Sequence, residues 1–126
     1  MREIKFRAWD GKQMYYSNEE QTIWMGGQEV SVNTNKGKIT GDFKGMQFTG
    51  LKDKNGVDIY EDDIVNVVYA NGQSEIMRIG FDEEKLRFAL FDKENENWGF
   101  DLYVIIEIIG NKFKNPEFLN KWETYQ

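Results

Sequence analysis

The chain has 126 residues, of which 40% are hydrophobic and 30% charged, and its formal net charge at pH 7 is −6. This length suits one folded domain, and the 19 aromatic residues (four Trp, six Tyr and nine Phe) argue against intrinsic disorder. Cysteine and histidine are both absent, which excludes disulfides, thiol nucleophiles, thiolate metal sites and catalysis by a histidine base.

The charge is unevenly distributed. Residues 1–59 carry nine basic and eight acidic side chains, whereas residues 60–126 carry seven basic and fourteen acidic ones. An acidic second half repels phosphate, so we expect no binding to nucleic acid. No segment reaches the roughly 18 to 20 apolar residues that cross a bilayer, and the first residues lack a signal sequence. We therefore expect a cytoplasmic protein without membrane contact.

A β-hairpin is predicted at the start of the chain. Ile4, Phe6 and Ala8 alternate with the residues between them, and the pair Asp10-Gly11 then marks a turn. The segment from residue 17 to 45 is polar and rich in Gly, Asn and Thr, which indicates loops and edge strands. Its strand-like pieces are residues 22–25, 29–32 and 38–43.

The stretch from residue 46 to 67 contains the strongest turn signal of the chain. Asn55-Gly56 lies between apolar segments and tolerates positive φ at both central positions of a tight turn, which predicts a hairpin. Carboxylates are dense here, yet the spacing does not fit an EF-hand loop. Counted from Asp53, Gly56 is the fourth residue rather than the sixth, and the twelfth residue is Ile64 rather than Glu.

An acidic corner follows this predicted hairpin. Glu61, Asp62 and Asp63 lead into a strand rich in β-branched residues, where like charges keep a sheet edge from pairing with other chains. The alternative is a divalent cation site made of these three carboxylates, although the run has no evident ligand outside it. We expect neither a cofactor nor a metal, and Glu61, Asp62 and Asp63 are the weak candidate ligands.

Several short segments resemble the YopX family of phage and prophage proteins. They are residues 2–10, 47–56, 59–61, 63–65, 109–111 and 115–117, which together frame nearly the whole chain. One departure is Asp62, where the family usually has Gly. The resemblance implies a phage or prophage origin and an all-β fold. It supplies no catalytic residues, since the family has no assigned activity.

Beyond the acidic corner the pattern predicts a meander of short antiparallel strands. Apolar residues alternate along three segments, which are separated by Asn71-Gly72 and by a turn at residues 82–85. The alternating residues are Val65, Val67 and Tyr69, then Met77, Ile79 and Phe81, then Leu86, Phe88 and Leu90. We therefore predict an all-β, mainly antiparallel fold. It consists of a small SH3-like barrel or folded sheet in the C-terminal half, with the first hairpin as an N-terminal extension.

The last predicted strand, residues 102–109, is apolar on both faces except for Glu107. Its second face needs cover, either from the N-terminal hairpin or from a second subunit. We favour a homo-oligomer whose contact includes Leu102, Ile105 and Ile109.

A short C-terminal helix is predicted by Asn115-Pro116-Glu117, with Asn115 as its N-cap. Phe118 and Trp122 lie four residues apart on one face of this helix and can pack onto the sheet. No linker or repeat interrupts the chain, so we treat residues 1–126 as one domain with a candidate subdivision near residue 60.

These features favour a non-enzymatic accessory protein that binds a protein partner or its own copies. Neither catalytic nor cofactor-binding residues can be named, because no motif places a base beside Ser17, Ser31 or Ser74. Two alternatives stay open. One is a nucleic-acid-associated barrel in which bases stack on aromatic residues such as Trp24. The other is an acidic surface that mimics DNA and binds a host protein.

Overall fold

A computed structural model describes residues 3–26, 29–39, 41–100 and 104–119. Over these ranges the chain is almost entirely antiparallel β-structure, with a short helical segment at residues 117–119, as the sequence predicts. The strands are β1 Phe6–Trp9, β2 Met14–Tyr16, β3 Gln21–Gly26, β4 Glu29–Thr34, β5 Gly37–Ile39, β6 Lys44–Lys52, β7 Asp58–Tyr60, β8 Asp63–Tyr69, β9 Ser74–Asp82, β10 Arg87–Phe91, β11 Asn97–Trp98 and β12 Val104–Asn111. None of the described helical residues belongs to a helix long and apolar enough to cross a membrane.

The chain divides into two compact units, Met1–Gly50 and Leu51–Gln126. In the first unit β1 lies between β2 and β6, while β3, β4 and β5 form a separate three-stranded sheet. The predicted N-terminal hairpin is confirmed as the pair β1 and β2. The segment expected to hold loops and edge strands contains the three-stranded sheet. It forms because Ile23 and Val32 pair across β3 and β4 and are both buried.

The first unit has a hydrophobic core of its own. Ala8, Ile23 and Val32 are buried together, and the partly buried residues around them are Phe6, Tyr15, Met25, Val30, Ile39 and Phe43. Arg7 departs from the alternation predicted for β1, since it is only 3% exposed although it adjoins the buried Ala8. Its Nε lies 3.3 Å from Sδ of Met46, its register partner on β6. At this point β1 is therefore buried on both faces.

In the second unit, five strands form one sheet in the order β11-β10-β9-β8-β12, which curls into a half-barrel. The predicted meander is present as β8, β9 and β10, and β12 returns to pair with β8. The core consists of Ile59, Val65, Val67, Met77, Ile79 and Leu90. Val104, Ile106 and Ile108 of β12 pack against it. Because side chains alternate along a strand, Ile105 and Glu107 point away from this core.

Three hairpin loops of the second unit share one geometry. Each has three residues, and a residue with positive φ occupies the third position: Gly56 (φ 81), Gly72 (φ 86) and Asn95 (φ 62). In the first loop the N–H of Gly56 donates to the carbonyl of Asp53 at 3.0 Å, and the N–H of Asp53 donates to Val57 at 2.8 Å. The predicted hairpin at Asn55-Gly56 is thus confirmed. Only its glycine is left-handed, because the loop has three residues rather than two.

A tight corner follows β12. The strand carries a bulge between Ile108 and Gly110, and a Cβ on Gly110 would collide with the side chain of Asn115. The prediction that Asn115 caps the C-terminal helix is wrong for the described residues, since its Oδ1 accepts from the N–H of Asn111 at 3.1 Å. The corner turns this side chain back over Gly110, where no side chain competes for the space. Trp122 lies outside the described residues.

Candidate interaction surfaces

The carboxylate of Asp53 connects the central turn to the last strand. Its Oδ1 accepts hydrogen bonds from the N–H groups of Asn55 at 2.8 Å and Val57 at 3.0 Å, and its Oδ2 accepts from Ile108 at 3.0 Å. Asp53 is only 8% exposed. Burial raises the pKa of this carboxyl, but the three N–H donors and Lys54 outweigh burial, so the pKa is lowered overall.

The same turn covers part of the outer edge of β12. The N–H of Lys54 donates to the carbonyl of Ile106 at 2.9 Å, and Nζ of Lys54 lies 3.4 Å from Glu107. Nδ2 of Asn55 also reaches Glu107, at 3.3 Å. Together with the bond to Ile108, these contacts close the strand edge at residues 106–108 to β-strand addition by another molecule.

The acidic corner, whose residues Glu61, Asp62 and Asp63 are the candidate cation ligands, is stabilised by contacts within the protein. Oδ2 of Asp63, a residue only 2% exposed, accepts from the N–H of Tyr60 at 2.8 Å. Asp62 has φ +68, and its carboxylate lies 3.8 Å from Arg78. Glu61, Asp62 and Asp63 do not form a converging group of ligand oxygens among the described residues.

The backbone of Asp62 leads to a stability prediction. A left-handed φ strains most residues and suits glycine, the residue expected at this position from the family resemblance. We expect Asp62→Gly to raise the free energy of unfolding by up to about 1 kcal/mol, because relief of strain exceeds the loss of the long contact with Arg78. Asp63→Gly is the matched control and should destabilise, since it removes the acceptor for Tyr60. Urea unfolding of both variants checks this, and a less stable Asp62→Gly would contradict it.

Three carboxylates do converge in the loop between β10 and β11. The oxygens of Asp92, Glu94 and Glu96 lie within 4.8 Å of one another. Oδ1 of Asp92 accepts from the N–H groups of Glu94 at 2.9 Å and Glu96 at 3.0 Å, and its Oδ2 lies 3.4 Å from Nε1 of Trp98. This bonding pattern is that of an aspartate that stabilises a turn.

We accordingly expect calcium to leave the stability of the protein unchanged. The buried oxygens of Asp63 and Asp92 already accept backbone hydrogen bonds, and the other carboxylates of both groups offer too few ligands for a hard cation. Melting curves in EDTA and in millimolar calcium should coincide. A ligand of the native state raises the melting temperature by mass action, so a rise of several degrees with calcium would reveal a site.

An apolar groove lies beside β12, and we call it the Ile105 groove. It has a volume of about 360 Å³, and its lining includes the apolar residues Leu51, Phe100, Val104 and Ile105 and the charged residues Lys52, Asp53 and Lys54. Ile105 is 55% exposed and also lines a smaller recess with Val68 and Ala70. Ile109, another predicted contact residue, is not among the residues that line either recess. Ile109 is partly buried at the bulge, and Leu102 lies outside the described residues.

The second apolar surface is the end of the hairpin formed by β9 and β10, which we call the Leu86 tip (residues 81–88). Leu86 is 78% exposed and has φ +53, while Phe81 is 40% exposed. The rings of Phe81 and Phe88 have centroids 5.3 Å apart. The meander pattern places Leu86 in a strand, and this is wrong, since it is the last residue of the turn. The four charged residues directly before it, 82–85, predict the turn, and the structure extends this turn by one residue to Leu86.

A third surface lies on the first unit around Trp24. Its side chain is 54% exposed and lies over Gly26, so that a Cβ on Gly26 would come within 2.6 Å of the indole. A groove of about 690 Å³ beside it is bordered by two basic and two acidic residues, Lys38, Lys44, Glu29 and Asp42. The opposite charges balance, so this groove is not a basic stripe.

Tyr69 titrates abnormally and yields a pH prediction. Its hydroxyl donates to Oε2 of Glu75 at 2.7 Å, and burial together with Glu75 raises the pKa of Tyr69 to about 12. Because the pKa of Tyr69 is higher in the folded state than in the unfolded state, the folded state is stabilised as long as the hydroxyl is protonated. Its contribution to stability is therefore complete below the ordinary pKa of about 10 and is lost as the pH rises toward 12. Unfolding measured from pH 9 to 12 should show this loss in the wild type and not in Tyr69→Phe. Equal profiles would contradict the assignment.

The fold defines the class as a small all-β protein with a four-stranded sheet, a three-stranded sheet and a five-stranded sheet that curls into a half-barrel. Residues 5–120 match the profile of the family described as YopX protein, so this chain belongs to the YopX family, as the short segments predict. It is similar to protein yopX from Bacillus subtilis, with 21% identity, a TM-score of 0.67, and coverage of 90% of this chain and 95% of that one. It is also similar to protein EF1440 from Enterococcus faecalis, with 27% identity, a TM-score of 0.60, and coverage of 94% and 99%. No curated protein matches.

Proposed function

We propose that this protein is a non-enzymatic accessory protein of phage or prophage origin that acts in the host cytoplasm by binding protein, its own copies in the first place. The observation that carries this proposal is Ile105, which is 55% exposed in a regular strand. Full burial of an isoleucine side chain is worth about 1.5 to 3 kcal/mol, so covering it with a second molecule is favourable. Membership of the YopX family supports the phage origin.

The bonding of the buried carboxylates favours a binding protein over an enzyme. Asp53, Asp63, Asp82 and Asp92 are all buried, and each accepts a backbone N–H near its own position in the chain. The chain has no histidine or cysteine. A general base would have to be a lysine or a carboxylate, and using one of these buried carboxylates would leave its N–H donors without an acceptor.

Sedimentation velocity tests self-association. At about 100 µM the wild type should sediment as an oligomer, since contacts with micromolar Kd are occupied at this concentration. Ile105→Lys places a charge in the contact and should give monomers, with an unchanged melting temperature at dilutions where the wild type is also monomeric. Ile4→Lys is the matched control, because Ile4 is 69% exposed but lies on the first unit, and it should keep the wild-type mass. A monomeric wild type, or an unchanged mass for Ile105→Lys, would overturn the proposal.

The nucleic-acid alternative depends on Trp24, on which a base could stack beside Lys38 and Lys44. We expect it to fail, because the same groove is lined by two acidic residues, Glu29 and Asp42, and residues 60–126 carry an excess of seven acidic side chains. Electrophoretic shifts with single-stranded DNA over a salt series provide the comparison. Micromolar binding that falls steeply with salt and disappears in Trp24→Ala would assign nucleic acid to the first unit instead.

A further inference from the structure

We propose that Asn71 is a site of spontaneous deamidation, in which the backbone nitrogen of Gly72 attacks the side-chain carboxamide. The chain has two Asn-Gly pairs, Asn55-Gly56 and Asn71-Gly72. Glycine hinders such an attack least, because it has no Cβ. The hydrogen bonds of the two loops favour the reaction at Asn71 and oppose it at Asn55. The reaction is independent of self-association, because it takes place within one loop of one chain.

Deamidation needs only water and the chain itself. Hydroxide removes the proton from the N–H of Gly72, and the nitrogen forms a bond to Cγ of Asn71. Nδ2 then leaves as ammonia, which gives a cyclic imide. Water opens this ring at either carbonyl, so the products are aspartate and isoaspartate. No oxidant or reductant takes part, and each conversion adds one negative charge because a neutral carboxamide becomes a carboxylate.

The carboxamide of Asn71 is folded over the peptide bond that it would attack. Its Oδ1 accepts from the N–H of Gln73 at 2.9 Å. A hydrogen bond from the N–H two residues further on closes an Asx turn, which directs the carboxamide toward the intervening nitrogen of Gly72. The same N–H polarises the side-chain carbonyl and stabilises the negative charge that develops on Oδ1 during the attack. Both effects favour ring closure.

The Asn71 loop (residues 70–72) can open without disturbing the sheet. Over the described part of the chain its hydrogen bonds all end within the hairpin of β8 and β9. The N–H of Gly72 donates to the carbonyl of Tyr69 at 2.9 Å, and this bond must break before the nitrogen can react. All residues from 70 to 74 are exposed, so water replaces the bond in a local opening that leaves the strands paired.

The Asn55 loop (residues 54–56) has the same glycine bond but is anchored to β12. The N–H of Gly56 donates to the carbonyl of Asp53 at 3.0 Å, and the N–H of Lys54 donates to Ile106 at 2.9 Å. The buried carboxylate of Asp53 also accepts from Ile108 at 3.0 Å. Opening this loop would break contacts with a second strand, so the nitrogen of Gly56 is accessible far less often.

The two carboxamides are also polarised in opposite directions. Nδ2 of Asn55 lies 3.3 Å from Oε2 of Glu107, and donation to a negative charge makes Cγ less electrophilic. Nδ2 of Asn71 lies 3.2 Å from the neutral Oε1 of Gln73, a weaker acceptor, while its Oδ1 accepts from an N–H. The bonding therefore activates Asn71 and deactivates Asn55.

Peptide mapping of the aged protein by mass spectrometry tests this assignment. The full chain is incubated at neutral and at mildly alkaline pH, and the deamidated fraction of each Asn-Gly peptide is followed with time. A sample digested without incubation gives the background. We expect Asn71 to convert at least about tenfold faster than Asn55, because loop opening and stabilisation of the charge on Oδ1 both favour it. Both rates should rise with pH, since the nitrogen must lose its proton.

Unfolding supplies the control for the structural effect. In urea the two rates should approach each other, because glycine follows asparagine in both pairs and the loops no longer differ. Equal rates in the native protein, or a faster reaction at Asn55, would overturn the inference. Native protein that keeps both carboxamides while both are lost in urea would overturn it as well.

A matched pair of variants locates the reaction in the native protein. Asn71→Ser should lose most of the ammonia that the wild type releases, whereas Asn55→Ser should release as much as the wild type. Both positions are exposed, so both variants are expected to fold. The reverse pattern, or ammonia release by Asn71→Ser at the wild-type rate, would place the reaction elsewhere and overturn the assignment.

Discussion

Asp53→Ala is expected to lower the free energy of unfolding by about 2 to 4 kcal/mol, one of the two largest effects of a single substitution that we predict. The change leaves the N–H groups of Asn55, Val57 and Ile108 without their acceptor in a region where Asp53 is only 8% exposed. It also removes one of the hydrogen bonds between the central turn and β12. Urea unfolding of the wild type and the variant measures the loss directly.

Asp10→Ala is the matched control for this prediction. The carboxylate of Asp10 also accepts two backbone bonds, from Lys12 at 2.7 Å and Gln13 at 2.8 Å, but it does so in an exposed turn where water replaces it. The loss should be clearly smaller than for Asp53→Ala. Equal losses for the two variants would mean that the bond from Asp53 to Ile108 contributes little to holding β12.

The pH dependence of Asp53 gives an independent check. Burial acts to raise the pKa, and the backbone N–H donors lower it further than burial raises it, so the folded pKa lies below the ordinary value of 3.8. A lowered pKa contributes stability above the unfolded pKa, and that stability is lost as the pH falls from about 4 through the folded pKa. Asp53→Asn should flatten this acid limb of the stability curve. An unchanged acid limb would show that other carboxyls govern acid unfolding.

Ile79→Ala is expected to cost about 2 to 5 kcal/mol, because Ile79 is 0% exposed at the centre of the core of the second unit and its truncation leaves a cavity. Phe81→Ala is the matched control. Phe81 points to the same face of β9, two residues further on, but it is 40% exposed. Its truncation should cost much less in urea unfolding although it removes more atoms. A larger loss for Phe81→Ala would mean that the core extends to the end of the strand.

These two positions also show where the alternation pattern stops being informative. Met77, Ile79 and Phe81 have the same period in the sequence, but only the first two are buried. Phe81 pairs with Phe88 at the end of the sheet, beyond the core residues of the neighbouring strands. Periodicity identifies a face of a strand. How far along that face the core extends depends on which other strands lie opposite, and a single strand does not carry that information.

Turn chemistry could be read from the sequence because it is local. The pairs Asn55-Gly56 and Asn71-Gly72 predict hairpins, and both loops contain a left-handed glycine. The second function of Asp53, its bond to Ile108, joins residues 55 positions apart. No local pattern contains this bond, so the sequence alone left a cation site open in this stretch, whereas the carboxylates of Asp53 and Asp63 accept hydrogen bonds from backbone N–H groups.

One of the two apolar surfaces of the second unit could likewise be predicted from the sequence, and the other could not. The composition of residues 102–109 already indicates a strand with too many apolar side chains for one core, and Ile105 is indeed exposed. The Leu86 tip was missed, because its significance depends on a positive φ and on the position of a turn relative to the core. Leu86 looks like the first residue of an apolar strand until the register of β9 and β10 is known.

The sequence by itself determined the all-β class, the meander of the second unit, its hairpins and the membership of the YopX family. These follow from side-chain periodicity, turn residues and short motifs, which act over fewer than about ten residues. The tertiary structure decided that β12 pairs with β8, that Asp53 holds the strand edge, and that Ile105 and Leu86 stay exposed at opposite ends of one sheet. Each of these depends on which distant segments meet, because burial and strand pairing are properties of the assembled chain.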